Sequence, residues 1–191
     1  MTKRPSSFDR YALVALLIDR SWRENSPLSK KALQMKLYTI QELGGIDTGY
    51  RFKFFIYGPY SADLEGDLGL IEFNGGIEIT FCRSANRYEI TPGKNIDLMF
   101  KIGQQYLESN RPVIENVLEA FDNGSARESY VVSTIAYLRR YLPDLFEDDE
   151  RFLERVWRFM PKFSKQEVSI AVDEVKEFLA RKKEPASSVS A

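Results

Sequence analysis

Carboxylates are the residues of this sequence that come nearest to a metal-binding or catalytic pattern. Asp63, Glu65 and Asp67 lie in one short stretch, and an acidic run covers residues 147–150. Such oxygen ligands suit a hard cation such as Mg²⁺, but acids at helix starts also cap the helix and meet its dipole. Residues 174–176 spell the end of a nuclease-like carboxylate–lysine signature in an amphipathic helical pattern, not in a core strand. A metal-dependent enzyme is therefore the least favoured of three functional hypotheses, after a protein-binding adaptor and a DNA-binding regulator. We predict no catalytic residue, metal or cofactor.

The sequence contains no histidine and a single cysteine, Cys82. The absence of histidine removes the usual general base, the commonest metal ligand and every Ser-His or Cys-His nucleophile pair. One cysteine cannot form an internal disulfide, and its scarcity is typical of a reducing compartment. The apolar run at residues 11–18 is too short to cross a bilayer and does not form a signal sequence. We predict a cytoplasmic, non-enzymatic protein with no membrane association.

The segment Tyr57-Gly58-Pro59-Tyr60-Ser61 could form a recognition surface. Two amphipathic tyrosine rings flank a rigid turn there, close to the cations Arg51 and Lys53, and interface hot spots favour such residues. The alternative is purely structural: glycine and proline make the turn, Ser61 caps a helix, and the tyrosines pack on the first helix. The acids after the turn are expected to face outward. The predicted partner-binding residues are Arg51, Lys53, Tyr57, Tyr60, Asp63 and Asp67.

A DNA-binding alternative uses a different set of side chains. Arg83 and Arg87 lie at the tip of a predicted hairpin and could contact phosphates, with Lys30 and Lys31 on the second helix as support. The third helix, by contrast, carries acids of the wrong sign and no exposed residue suited to reading bases. The net charge of -1 also argues against a general polyanion binder.

The elements that would position these residues can be read from apolar spacing. Residues 50–56 alternate between apolar side chains and Arg51 or Lys53, which predicts a half-buried strand that Gly58-Pro59 ends. Ser61 is expected to cap the helix that follows. Upstream, residues 8–23 predict a helix buried on nearly every side, and Ser29 is expected to cap a second helix that stops at Gly44-Gly45.

The rest of the chain predicts one hairpin and then helices only. A turn at residues 74–76 leads into two alternating strands, and about five helical segments follow from Lys94 onward. Pro112 is placed in a first helical turn, where proline is tolerated. Two further helix starts carry the capping-box pattern, Ser125 with Glu128 and Ser164 with Glu167.

This element order predicts an α+β, mainly helical fold. Three helices followed by a hairpin match a winged helix with one extra strand before the third helix. We predict a winged-helix-like N-terminal lobe with a β-hairpin wing in residues 1–92, and a helical C-terminal lobe packed against it in residues 93–184. Residues 185–191 are small and polar and are predicted to be disordered.

Three runs of the first half, KLYTIQELG, YRFKFFIYGPYS and DLEGDLGLI, resemble the YwgA-like proteins of bacteria and archaea and, more distantly, the Panacea domain of SocA-type antitoxins. Two later segments, SYVVSTIAYLRRY and PKFSKQEVSIAVDEV, are also similar to YwgA-like sequences. Panacea-type proteins neutralise toxins or act as adaptors. The resemblance therefore implies a regulatory role without catalysis.

These observations together predict a regulatory or antitoxin-like adaptor that binds a protein partner. The expected contact is the segment of residues 51–60 with the acidic face of the third helix, which would suit a basic partner such as a toxin or nuclease. A DNA-binding transcriptional regulator that uses the wing is the alternative. A homodimer is compatible with the sequence.

Overall fold

A computed structural model of the chain describes residues 4–55, 57–122 and 126–183. Within these ranges the protein is mainly helical and carries two small antiparallel β-hairpins. The predicted α+β, mainly helical class is therefore confirmed. The tail predicted to be disordered, residues 185–191, lies outside the described ranges.

The described part of the N-terminal half contains three α-helices and both hairpins in the predicted order. The extra strand expected before the third helix is paired in a two-stranded hairpin. The likeness to a winged helix remains a prediction. Helix α1 spans Ser7–Arg23, α2 spans Lys30–Thr39 and continues into a π-helical turn at Ile40–Gly44, and α3 spans Ala62–Phe73. The first hairpin pairs β1 (Lys53–Phe55) with β2 (Gly58–Tyr60), and the second pairs β3 (Ile77–Cys82) with β4 (Arg87–Pro92).

The described part of the C-terminal half forms six helices rather than about five. A break at Gly103 divides what reads as one segment, and one helix of four residues is too short to show a period. No helix in the described ranges combines the length and apolar character needed to cross a membrane. The helices are α4 (Ile96–Ile102), α5 (Gln104–Phe121), α6 (Ala126–Tyr141), α7 (Pro143–Phe146), α8 (Asp149–Phe159) and α9 (Lys165–Lys183).

Serine side chains cap helix starts as predicted. The hydroxyls of Ser29 and Ser61 each accept a backbone N–H from the first turn of α2 and α3, at 3.2 and 3.4 Å. Ser164 and Glu167 form the predicted capping box at the start of α9, because each side chain accepts the backbone N–H of the other residue. Ser125 is not among the described residues, so the box predicted there stays a prediction.

The strand predicted for residues 50–56 is shorter than expected. Among the described residues of this segment, which exclude residue 56, three form β1, and Tyr50 is buried outside it. Gly58-Pro59 does not end the sheet, because both residues belong to β2 together with Tyr60. Gly58 adopts φ 108°, a value that side chains rarely allow, so glycine suits the tight return of the chain.

Pro112 lies inside α5 and not in a first turn, so that prediction was wrong. The helix already begins at Gln104, because the polar residues before the proline continue its helical pattern. A proline inside a helix offers no N–H to the carbonyl four residues earlier, which here belongs to Glu108. Pro112 is exposed, so water can reach that carbonyl.

Helix α1 is the centre of the core, as predicted. Its residues 12–18 are all buried, and the helix packs against α2, α3 and β4 as well as against α4 and α5. Helix α2 packs in turn on α6. One hydrophobic core therefore includes buried residues from both sides of the boundary predicted near residue 92.

Candidate partner-binding surface

The β1–β2 hairpin has one packed face and one open face. In its register Lys53 lies opposite Tyr60, Phe54 opposite Pro59, and Phe55 opposite Gly58. Because side chains alternate along a strand, Phe54 points to one face while Lys53 and Phe55 point to the other. Helices α2 and α6 pack against β2, so β2 is the inner strand and β1 the outer one.

Phe54 anchors the packed face of the hairpin to the C-terminal half. Its ring stacks on Tyr137 of α6 at a centroid distance of 4.3 Å and meets Phe159 of α8 edge-on at 5.8 Å. Aromatic contacts of this geometry stabilise a structure beyond the area they bury. The hairpin is therefore fixed in part by helices of the C-terminal half of the chain.

The open face of the hairpin combines aromatic rings with cations. Phe55 and Tyr60 form an edge-to-face pair at 5.9 Å, and both rings are exposed. Arg51 and Lys53 are exposed beside them. A groove of about 520 Å³ runs over this face to the start of α3 at Asp63. We call this set, Arg51, Lys53, Phe55, Tyr57 and Tyr60, the hairpin surface.

Tyr57 is 70% exposed at the tip of the hairpin. The ammonium group of Lys31 lies 5.4 Å from the centre of its ring and 5.5 Å from the ring of Tyr130 on α6. Cations attract aromatic faces at this distance, so Lys31 links the hairpin tip to α6. The structural alternative holds in part: Ser61 caps α3, but the two tyrosines are not buried on the first helix, because Tyr60 is 40% exposed as well.

Gln34 holds the junction between the hairpin and α3. Its side chain accepts the backbone N–H of Ser61 at 2.8 Å and donates to the carbonyl of the same residue at 3.1 Å. Gln34 is only 3% exposed, so both hydrogen bonds are made out of water. Sequence reasoning missed this residue, because a glutamine within an amphipathic helix gives no signal of its partner.

Asp67 does not face outward, and the prediction that it belongs to an exposed acidic face was wrong. It is 5% exposed and accepts hydrogen bonds from Arg10 of α1, with its two oxygens 2.8 and 3.1 Å from the guanidinium nitrogens. The hydroxyl of Tyr50 donates to it at 3.0 Å. Asp67 is thus a structural link between α1, α3 and the loop before β1.

The environment of this link shifts the pKa values of Arg10 and Tyr50 upward. The hydrogen bond to Asp67 raises the pKa of Arg10, which stays charged. Burial raises the pKa of the Tyr50 hydroxyl, and the negative charge of Asp67 raises it further. Tyr50 therefore remains a neutral donor near neutral pH.

Two further acids of α3 lie near cations. Glu65 forms an ion pair with Lys30 of α2. Asp63 lies 3.7 Å from Arg51, whose side chain is 81% exposed, so this pair is loose and solvated. The fourth acid of the helix, Glu72, is exposed and accepts the backbone N–H of Ile79 at 3.1 Å. Asp63, Glu65 and Asp67 therefore do not form one outward acidic face.

The residues of the DNA-binding alternative lie on two elements, the β3–β4 hairpin and α2. Arg87 at the tip of the β3–β4 hairpin is bound by Glu89 through two hydrogen bonds of 3.1 and 3.0 Å. Arg83 is exposed in the same turn and makes no ion pair with any described residue. Lys30 and Lys31 are engaged by Glu65 and by tyrosine rings, as described above.

Two acids of the run at residues 147–150 have structural partners. Asp148 caps α8 by accepting the N–H of Arg151 at 3.1 Å, and Asp149 pairs with Lys176 of α9. Burial raises the pKa of Glu174 and the charge of Glu128 adds to it. Among the residues that the structure describes, no three or more metal-type ligands come together.

Comparison with known proteins adds no family assignment. No protein-family model matches the sequence, and the search of curated proteins found no match. The resemblance to YwgA-like and Panacea proteins therefore stays at the level of the quoted motifs.

Proposed function

We propose that this protein is a non-enzymatic adaptor that binds a protein partner through the hairpin surface. The observation that carries the proposal is the exposure of Phe55, Tyr57 and Tyr60 on one small hairpin beside Arg51 and Lys53. Exposed aromatic clusters next to cations are typical of interaction sites. Phe54 of the hairpin packs on Tyr137 of α6, and Lys31 of α2 lies between the rings of Tyr57 and Tyr130. These contacts hold the hairpin on the helices, so little conformational freedom would be lost on binding.

The charge of the surface favours an acidic partner. The expectation of a basic toxin or nuclease relied on an outward acidic face, and the pairing of Asp67, Glu65 and Asp63 removes that basis. Lys53 forms no ion pair with any described carboxylate, and Arg51 has only its loose contact with Asp63. A partner segment with acidic residues would complement this surface.

We further propose a regulatory or antitoxin-like role in the cytoplasm. The support for it is the resemblance of the KLYTIQELG and YRFKFFIYGPYS runs to YwgA-like and Panacea sequences, which implies regulation by protein binding. The second run covers the hairpin surface itself. The winged-helix-like order of the N-terminal half is compatible with this role, since such folds also serve protein contacts.

The proposal is tested by affinity capture from the native host, with and without nuclease treatment, followed by calorimetry on the recovered partner. We expect a stoichiometric protein partner that survives nuclease. Phe55→Ala and Tyr57→Ala should each weaken its binding by about tenfold or more, equivalent to about 1.4 kcal/mol.

The matched control is Tyr88→Ala, which removes an exposed ring from the other hairpin. This variant should bind as the unchanged protein does. Equal binding by all three folded variants would falsify the assignment of the hairpin surface.

A DNA-binding regulator is the second candidate, and one observation favours it. Arg83 is exposed at the turn of the β3–β4 hairpin, close to the exposed pair Phe81 and Tyr88. This function predicts that Arg83→Glu combined with Arg87→Glu abolishes a steeply salt-dependent affinity for duplex DNA. Recovery of DNA from the host, with protein partners lost after nuclease, would favour it over the adaptor.

A further inference from the structure

The outer edge of β1 is free to pair with another strand. Opposite residues of an antiparallel pair alternate between hydrogen-bonded and non-hydrogen-bonded positions. Pro59 has no N–H, so its pair with Phe54 must be a non-hydrogen-bonded one. The backbone N–H and carbonyl of Phe54 therefore point away from β2. Neither group has a backbone partner among the described residues.

The side chains that border this edge define what a new strand would meet. On the open face it would lie beside Lys53, which has no described carboxylate partner, and beside the exposed ring of Phe55. On the packed face it would lie beside the ring of Phe159, which contacts Phe54 and is 42% exposed. Opposite charges and paired apolar side chains stabilise neighbouring strands.

We propose that β1 binds an extended acidic peptide segment of the partner by strand addition. The segment forms backbone hydrogen bonds with Phe54, places a carboxylate opposite Lys53, and places an aromatic or β-branched residue opposite Phe55. Since these two positions lie on one face, the acidic and apolar residues of the segment are two positions apart. This inference rests on the proposed function and specifies its binding mode.

A peptide segment fits the edge better than a second copy of the chain. Two copies paired about β1 would be related by an axis perpendicular to the sheet, so their helices would lie on the same side of it. With Phe54 paired to Phe54, the second copy would place Phe55, and no carboxylate, opposite Lys53. An extended peptide segment brings no packed helices with it. It can form hydrogen bonds with the backbone of Phe54 and place a carboxylate near Lys53 at the same time.

The test is a selection of random linear peptides of about 12 residues displayed for binding to the full chain. We expect enriched peptides with an acidic residue two positions from an aromatic or β-branched one. Methylation of single backbone nitrogens in a selected peptide should weaken binding by about tenfold at one position only, the N–H that the carbonyl of Phe54 accepts, and should leave the positions on either side unaffected.

A charge reversal on the protein supplies the second measurement. Lys53→Glu should weaken binding of the acidic peptide by about tenfold or more. The control is Lys101→Glu, at an exposed position of α4, which should leave the affinity for the peptide unchanged. A selection that yields no peptide, or one dominated by basic peptides, overturns the inference. So does a dimer of the chain alone that excludes the peptides, since a second copy would then occupy the edge.

The two proposals fail in distinguishable ways. If Tyr57→Ala and Lys53→Glu weaken peptide binding but methylation of no backbone nitrogen does, the hairpin surface is retained and strand addition is overturned. If Phe55→Ala and Tyr57→Ala leave the affinity for the host partner unchanged, the proposed function itself is overturned.

Discussion

At the scale of single residues, three acids of one helix have three different environments. Asp67 is buried in an ion pair with Arg10, Glu65 pairs with Lys30, and Asp63 is solvated near Arg51. Their close spacing in the sequence had suggested a metal-binding or partner-binding cluster. Only the cations brought by α1, α2 and the β1 segment decide their roles.

Breaking the buried pair should therefore destabilise the protein strongly. Asp67→Asn leaves the Arg10 guanidinium without its counter-charge, and we expect a loss of about 3–5 kcal/mol in the free energy of unfolding. Urea denaturation followed by circular dichroism measures it. Asp63→Asn is the control on the same helix and should cost less than about 1 kcal/mol, because its ion pair is exposed. Equal losses for both variants would show that burial of Asp67 has no energetic effect.

At the scale of elements, the hairpin surface depends on a junction that local sequence rules describe only in part. Ser61 as a helix cap follows from its residue type and position. Its attachment to Gln34 of α2 does not, because the two residues are 27 positions apart. The two bonds fix where β2 ends and α3 begins.

Gln34→Leu should reveal the strength of this junction. The leucine has a similar size but leaves the buried N–H of Ser61 without a partner and its carbonyl with only the N–H of Glu65, at a cost of about 1–3 kcal/mol in unfolding free energy. Hydrogen exchange should also become faster in β2 and the first turn of α3. Gln105→Leu, at an exposed position of α5, serves as the control and should change neither quantity. Unaltered exchange in Gln34→Leu contradicts the role assigned to this side chain.

At the scale of the whole molecule, the two halves meet where α1 passes the break between α4 and α5. A Cβ atom on Gly103 would lie 2.4 Å from the Cβ of Ala12 and 2.9 Å from the carbonyl oxygen of Phe8. Such distances cannot be relieved by turning a flexible side chain, since both contacts are on or next to the backbone of α1. Glycine at this position is what allows the halves to share one core.

Gly103→Ala should accordingly push α1 away from α4 and α5. Overpacking of this kind costs about 1–3 kcal/mol, and thermal unfolding should shift to lower temperature while remaining a single transition. Gly66→Ala provides the opposite control, because no atom lies within 4 Å of its added Cβ. Replacing this exposed helical glycine should stabilise the protein by about 1 kcal/mol. Gly103→Ala with unchanged stability would refute the close approach.

The sequence predicted most of the helices and the β3–β4 hairpin, but only part of the candidate site. Arg51, Lys53, Tyr57 and Tyr60 lie on the surface where they were expected, whereas Asp67 does not. The ring of Phe55 was not singled out, because alternation alone does not tell which face of a two-stranded hairpin is covered.

Patterns within a few residues were determined by the sequence itself. Capping serines, the glycine that ends the π-helical turn, the buried period of α1 and the absence of histidine all depend on local chemistry, and each could be read directly. The tertiary structure decided what depends on distant residues: the burial of Asp67 by Arg10, the Gln34 junction, and the packing of Phe54 on Tyr137. The physical reason is that charge pairing and burial depend on distances in space, which neighbouring sequence positions do not specify.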